Sequence, residues 1–168
     1  NAATGGSTIN LNSLGAKTLV GMDGVQINAN MMPANYRAIL LYDGTNMVLI
    51  NTPSTSGTYT PVATIVANLD SVAPTVAQYS RVGRYVSVSG SFTADPTIVA
   101  SCQFRLTLPV ASDFASNFQC GGVATGTADN VNPIAIYADA TNNQAFFDWV
   151  TILTSNTTYF YIYTYLIV

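Results

Sequence analysis

Thr158-Tyr159-Phe160-Tyr161-Ile162-Tyr163-Thr164-Tyr165-Leu166-Ile167-Val168 are the last eleven residues of the sequence, and they alternate with period two. In an extended strand successive side chains point to opposite faces. Tyr159, Tyr161, Tyr163 and Tyr165 therefore share one face, and Phe160, Ile162, Thr164 and Leu166 the other. The second set suits a protein interior. A row of four tyrosines is large for a solvated face and suits a boundary between subunits, because a phenol offers apolar area with a polar tip. A sugar-stacking platform is the alternative for that row. The strand has no polar tail after it, so its end is expected to be pinned in a sheet.

Outward from this segment the same period dominates. Runs rich in Val, Ile, Thr, Tyr and Phe are punctuated at short intervals by Gly, Asn, Asp and Pro, the pattern of an all-β sandwich or barrel. Eight strands are expected after residue 57: Tyr59–Asn68, Pro74–Arg81, Arg84–Thr93, Ser101–Leu108, Phe118–Thr127, Asn132–Tyr137, Gln144–Ile152 and Thr158–Val168. Asp113–Ser116 is expected to make one helical turn. Eight antiparallel strands in about 110 residues fit a jelly-roll sandwich built from two Greek keys. Residues 57–168 are thus read as a jelly-roll domain. Turn formers and small polar residues, Asn51-Thr52-Pro53-Ser54-Thr55-Ser56-Gly57, read as a linker to a small module at residues 1–52. Five short strands are expected there (Thr8–Leu14, Lys17–Val20, Val25–Asn28, Tyr36–Leu41 and Met47–Ile50), with a hairpin from Ala38 to Ile50 turning at Asp43-Gly44. So small a module can barely bury a core alone, which favours packing against identical neighbours.

Composition narrows the function. Only 8% of the 168 residues are charged, against roughly 25% in an average domain, and the formal charge is -3. All eight acids are Asp, Lys17 is the only lysine, and His is absent. With one lysine and four scattered arginines there is no basic stripe, so no nucleic-acid partner is expected. No apolar run reaches the roughly 18 residues of a membrane helix, so membrane insertion is not expected. Without His there is no base poised near neutral pH, no imidazole for zinc and no Ser-His-Asp triad. No catalytic residue, metal site or cofactor is assigned. A depolymerase would need two suitably spaced carboxylates, and nearly every Asp lies beside a turn former. Asp148, between Phe147 and Trp149, is the oddly placed one. An apolar content of 49% with so little charge points to surface buried against further copies of the chain. Cys102 and Cys120 lie in apolar surroundings and are read as free thiols, a bridge between them being the alternative. Asn1 is not a Met and no signal-peptide pattern follows, so the sequence is expected to be a piece of something longer.

Leu14-Gly15-Ala16-Lys17, Asp23-Gly24-Val25 and the stretch from Leu40 to Leu49 with its Tyr42-Asp43-Gly44-Thr45 turn resemble a segment common in bacteriophage tail fibre and receptor-binding proteins. The stretches Tyr79–Gly90, Leu108–Phe114, Cys120-Gly121-Gly122 and Tyr163–Val168 are similar to the distal module of such fibres. The resemblance implies a homotrimer on the virion, with an N-terminal shaft or collar, a jelly-roll head, and attachment to the host cell surface. It makes Tyr159, Tyr161, Tyr163 and Tyr165 the expected trimer interface. Expected partners are the chain itself, other virion tail proteins and a host surface polysaccharide or other receptor; a structural capsid fibre or decoration protein is the alternative.

Sugar recognition needs aromatic faces and planar polar groups on loops held by a rigid scaffold. Trp149 is the first candidate for stacking, although its period-two neighbours Ala145 and Phe147 make it a core residue on the other reading. Asp139, Asn142 and Asn143, and Asp129 with Asn130, are the candidate loop contacts. Their plainer reading is as turn formers bonded to local backbone.

Overall fold

The computed structural model describes residues 6–12, 15–27, 31–33, 35–129 and 132–168. The alternating pattern is all-β, as expected. The first four strands, β1 Thr8–Ile9, β2 Lys17–Val20, β3 Leu40–Tyr42 and β4 Met47–Leu49, form one small sheet in the order β1-β2-β4-β3. The β3–β4 hairpin turns where the sequence places it. Asp43 Oδ1 accepts from the backbone N–H groups of Thr45 (2.8 Å) and Asn46 (2.7 Å), and Gly44 takes a φ of 99°. Those donors hold the Asp43 carboxyl below its ordinary range. The strand expected over 8–14 is only two residues long, and the one expected over 25–28 is a single bridge from Gln26 to Val20.

The other ten strands form a curled antiparallel sheet. They are β5 Ser54–Tyr59, β6 Ala63–Ala67, β7 Leu69–Pro74, β8 Ala77–Val82, β9 Tyr85–Pro96, β10 Ser101–Leu106, β11 Cys120–Gly126, β12 Ile134–Asp139, β13 Gln144–Val150 and β14 Thr157–Leu166. Their order is β5-β8-β9-β14-β11-β12-β13-β10-β6, with β7 also pairing β9. Strands β11, β12 and β13 are consecutive neighbours, with β14 beside β11 and β10 beside β13. These are two overlapping Greek-key connections. A single 3-10 turn, Asn117–Gln119, lies in the long connection from β10 to β11, a few residues beyond the turn expected at 113–116.

Two segments depart from the sequence reading. Ser54–Gly57, read as linker, belongs to β5, which pairs β8 from Ser54↔Val82 to Tyr59↔Ala77. Thr and Ser suit an edge strand whose other side meets water. The strand expected over 59–68 is split at Pro61, which has no N–H for a ladder, and a further strand, β7, follows. Asn68, at a φ of 54°, kinks β6 into β7 and donates from Nδ2 to Ser101 O at 2.7 Å. β6 pairs β10 at one end of the strand order and β7 pairs β9, the third strand from the other end, so this kinked ribbon curls the sheet onto itself.

The face assignment of β14 is the reverse of the expected one. Tyr159, Tyr161, Tyr163 and Tyr165 are 0–4% exposed within the single chain, whereas Phe160 and Ile162 are 55% and 53% exposed. The tyrosines therefore form no interface with another subunit; they are the core. Their rings pack with Phe92, Phe104 and Phe147, with Phe104–Phe147 stacked at 4.6 Å and Phe92–Tyr159 at 5.1 Å. Three of the four hydroxyls find polar partners inside. Tyr159 donates to Asp129 Oδ2 (3.0 Å), Tyr165 donates to Val110 O (2.7 Å), and Tyr163 shares a hydrogen bond with Tyr59 (3.0 Å). Glycines on the flanking strands make the room. Gly90 stands opposite Tyr161, Gly122 opposite Tyr163 and Gly126 opposite Tyr159. A Cβ at Gly122 would lie 2.4 Å from Tyr163 Cβ, and one at Gly90 2.6 Å from the Tyr161 hydroxyl. The rings occupy the space those side chains leave empty.

Candidate functional site

The described loop residues singled out from the sequence fall into two groups, one at the β12–β13 turn and one ahead of β12. One group is the β12–β13 turn. Asp139 Oδ1 accepts from the N–H groups of Thr141 (3.0 Å) and Asn142 (3.1 Å), and its Oδ2 accepts from Asn142 Nδ2 (2.8 Å). Arg105 Nε lies 2.8 Å from the same Oδ2, an ion pair in which the N–H is not aligned for a hydrogen bond. Partial burial pushes the Asp139 carboxyl up, but the Asn142 and Thr141 donors and the Arg105 charge outweigh it and hold the group below its ordinary range. Asn143, at a φ of 54°, accepts from Phe114 N–H (2.8 Å) and donates to Asp113 (3.0 Å). Its side chain ties the turn to the long β10–β11 connection. Only Asn142 is exposed among these three; Asp139 and Asn143 are half-buried.

Ahead of β12, Asp129 is wholly buried, which corrects its reading as a loop contact. Its carboxylate accepts from the Thr151 hydroxyl (2.7 Å), the Tyr159 hydroxyl and, at 3.4 Å, the Ile152 N–H. A buried carboxylate needs such donors; here they anchor the start of the β13–β14 connection to the core. Asn130 lies outside the described residues. Trp149 is also buried, edge-on to Phe104 at 6.1 Å and to Tyr159 at 5.6 Å, and presents no face to a ligand. Its period-two neighbours carry it inward. Asp148, on the outer face, accepts from Ser101, Gln103 and Tyr137.

Two surface features were not read from the sequence. The first is the outer face of the large sheet. Val123, Phe160 and Ile162 line a shallow apolar depression of about 370 Å³ with Thr125 and Pro133. Across the register this face continues through Ser87, Ser89 and Ser91 on β9, Thr164 on β14 and Ala135 on β12. None of these is charged; the first charged group beyond them is Asp148, paired with Ala135. The signal was present in the alternation of β14, with its two faces exchanged.

The second feature is a cleft of about 510 Å³ between the two sheets. Met22, Asp23 and Asn51 line it on the side of the small sheet; Gly83, Arg84 and Tyr85 line it from the β8–β9 turn. Gly83, at a φ of 60°, makes that turn, and Arg81 Nε donates to its carbonyl at 2.8 Å. Arg81 is buried and also donates from Nη2 to Met31 O, tying β8 to the connection between β2 and β3. Burial lowers its pKa from the usual arginine value.

No protein-family model, curated protein or solved structure matches this chain.

Among the described residues no three His, Cys, Asp or Glu side chains converge on a point that could hold a metal ion, and no helix is long and apolar enough to cross a membrane. The polar groups that do converge, around Asp129 and Asp139, are spent on internal hydrogen bonds. Both cysteines are free and buried, and burial pushes the Cys102 thiol up to about 11 and the Cys120 thiol to about 12.

Proposed function

We propose that this chain is the distal part of a virion fibre, a tail fibre or receptor-binding protein. It assembles as a homotrimer and attaches the particle to the host cell surface through glycan, without catalysis. The observation that supports assembly is the uncharged outer face centred on Val123, Phe160 and Ile162. Copies that converge on a common axis bring the same charges towards one another, so a face at that axis carries little charge of its own. The stretch from Ser87, Ser89 and Ser91 through Phe160, Ile162 and Thr164 to Val123 and Ala135 carries none, with Asp95 and Asp139 lying beyond it along β9 and β12. The small sheet adds a second exposed apolar surface, from Ile39, Leu41 and Ile50. Solitary copies would leave both in water at the usual cost of about 25 cal/mol per Å².

In this reading the strands with the overlapping Greek keys form a jelly-roll head, and the small sheet forms the collar that leads to the shaft. Attachment is supported by the resemblance in sequence to phage fibres and by the architecture, a rigid sheet carrying exposed turns. Weak contacts at single heads are multiplied by three copies per fibre.

Light scattering on the purified protein should give three times 17.7 kDa, and excess protein should block adsorption of the particle to its host. Periodate oxidation of the host surface, which cleaves sugar diols, should abolish that competition. A trimer that never competes would instead be a structural fibre or decoration protein.

A further inference from the structure

The inter-sheet cleft has the size of a small-ligand pocket, typically about 300–1,000 Å³. Arg84 and Asp23 line it from opposite sides, and a second cation, Arg81, lies behind its wall, bonded to the carbonyls of the lining residues Gly83 and Met31. Arg81 is 3% exposed, and both of its hydrogen bonds go to neutral carbonyls, Gly83 O and Met31 O. Among the described residues the only ion pair is Arg105–Asp139, so the Arg81 charge has no carboxylate beside it. Buried charges are ordinarily paired. Three residues on, Arg84 lines the cleft and spends its Nε on Ile167 O at 3.1 Å. Its two Nη groups have no hydrogen bond among the described residues. Tyr85 follows at the mouth of the cleft, 65% exposed. Across the cleft, Asp23 uses Oδ1 to accept from Val25 N–H and leaves Oδ2 open. One turn thus brings together two arginines without acidic partners and an exposed aromatic ring, in a protein of net negative charge.

We infer that this cleft binds a sugar residue bearing a carboxylate. The anion pairs with the Arg84 fork, backed by the buried Arg81 charge; the apolar face of the ring lies on Tyr85; and a hydroxyl donates to Asp23 Oδ2. A carboxylate suits the planar guanidinium because two parallel N–H···O bonds can form at once. The inference deepens the attachment reading and rests on it for the choice of sugar over other carboxylates.

Isothermal titration of the assembled protein with a hexuronate oligosaccharide, and with a neutral hexose oligosaccharide of equal length, tests it. The hexuronate should bind at least tenfold more tightly. Arg84→Gln should weaken it by roughly ten- to a hundredfold, the loss expected for a charge-assisted pair. Tyr85→Ala should weaken it several-fold, with the melting temperature of each variant checked alongside. Should Arg84→Gln melt early, Arg84→Lys keeps the charge and should still lose most of the bidentate gain. Equal affinity for both sugars, or full affinity in Arg84→Gln, overturns the inference. So does inorganic phosphate binding as tightly as the hexuronate, which would mark an anion site with no sugar selectivity. Wild-type protein that blocks adsorption yet ignores the hexuronate sinks the cleft assignment alone. Protein that binds hexuronate through Arg84 yet never blocks adsorption upholds the cleft and sinks the attachment reading.

Discussion

At the scale of residues, the tyrosine–glycine pairs carry the core. Gly121 and Gly122 are chain neighbours on β11 with opposite surroundings. A Cβ on Gly122 would meet Ile162 O at 2.3 Å, while one on Gly121 meets nothing within 4 Å. Gly122→Ala should therefore destabilise by about 1–3 kcal/mol, the usual cost of overpacking, and Gly121→Ala should be tolerated; thermal melts of the two variants check this. Burial raises the phenol pKa values of Tyr159, Tyr161, Tyr163 and Tyr165 and pushes Tyr59 up to about 12; Asp129 adds to the rise at Tyr159, while the hydrogen bonds to Val110 and Tyr163 work against it at Tyr165 and Tyr59. Above pH 10 the unfolded chain loses phenolic protons that the folded chain keeps, so the stability these groups contribute is full below about pH 10 and falls as pH rises beyond it. Urea melts should show a flat midpoint from neutral pH to about 9.5 and a steep decline above 10. Ultraviolet titration should show the buried phenols ionising only together with unfolding. A core whose phenols titrate near pH 10 while folded would contradict the inward placement of the row.

At the scale of elements, the corner at Asn68 decides whether the large sheet curls. Its left-handed φ and its hydrogen bond to Ser101 O act together. Asn68→Gly keeps the backbone conformation and loses the bond, a cost of about 1 kcal/mol. Asn68→Val loses both and adds roughly 1–2 kcal/mol of backbone strain. Chemical denaturation should rank them wild type, glycine, valine; equal costs would show that the conformation is not what matters. The strand pattern on either side was legible. Pro61 and Asn68 both stood in the sequence as breakers, but reading them needed the knowledge that β6 and β7 pair with different neighbours. The linker reading failed over Ser54–Gly57 for a related reason. An edge strand needs hydrogen-bonding partners on one side only, so its side chains can be as small and polar as those of a loop.

At the scale of the whole molecule, the outer face predicts how copies meet. Ile162→Asp would place like charges on the same face of every copy, and its side chain is half exposed, so the fold should survive. The expected outcome is a monomer by light scattering with a circular dichroism spectrum unchanged from wild type. An Ile162→Asp protein that still assembles would move the contact elsewhere, with the small sheet the next place to test. Of the candidate loop residues, Asp139 and Asn142 behaved as the plainer reading of turn formers suggested; Asn143 bonds instead to the β10–β11 connection, and Asp129 fastens a core tyrosine. The cleft was illegible because its walls come from residues about 60 positions apart, with Asp23 on one side and Arg84 on the other. By itself the sequence determined the all-β class, the short β3–β4 hairpin and most strand positions, because period-two alternation and turn chemistry are local. Only the tertiary structure decided which face of β14 is inside. Alternation separates two faces without naming the inner one. That choice depended on long-range packing: three glycines on neighbouring strands leave space that phenol rings fill, and acceptors buried elsewhere in the fold take up three of the four hydroxyls.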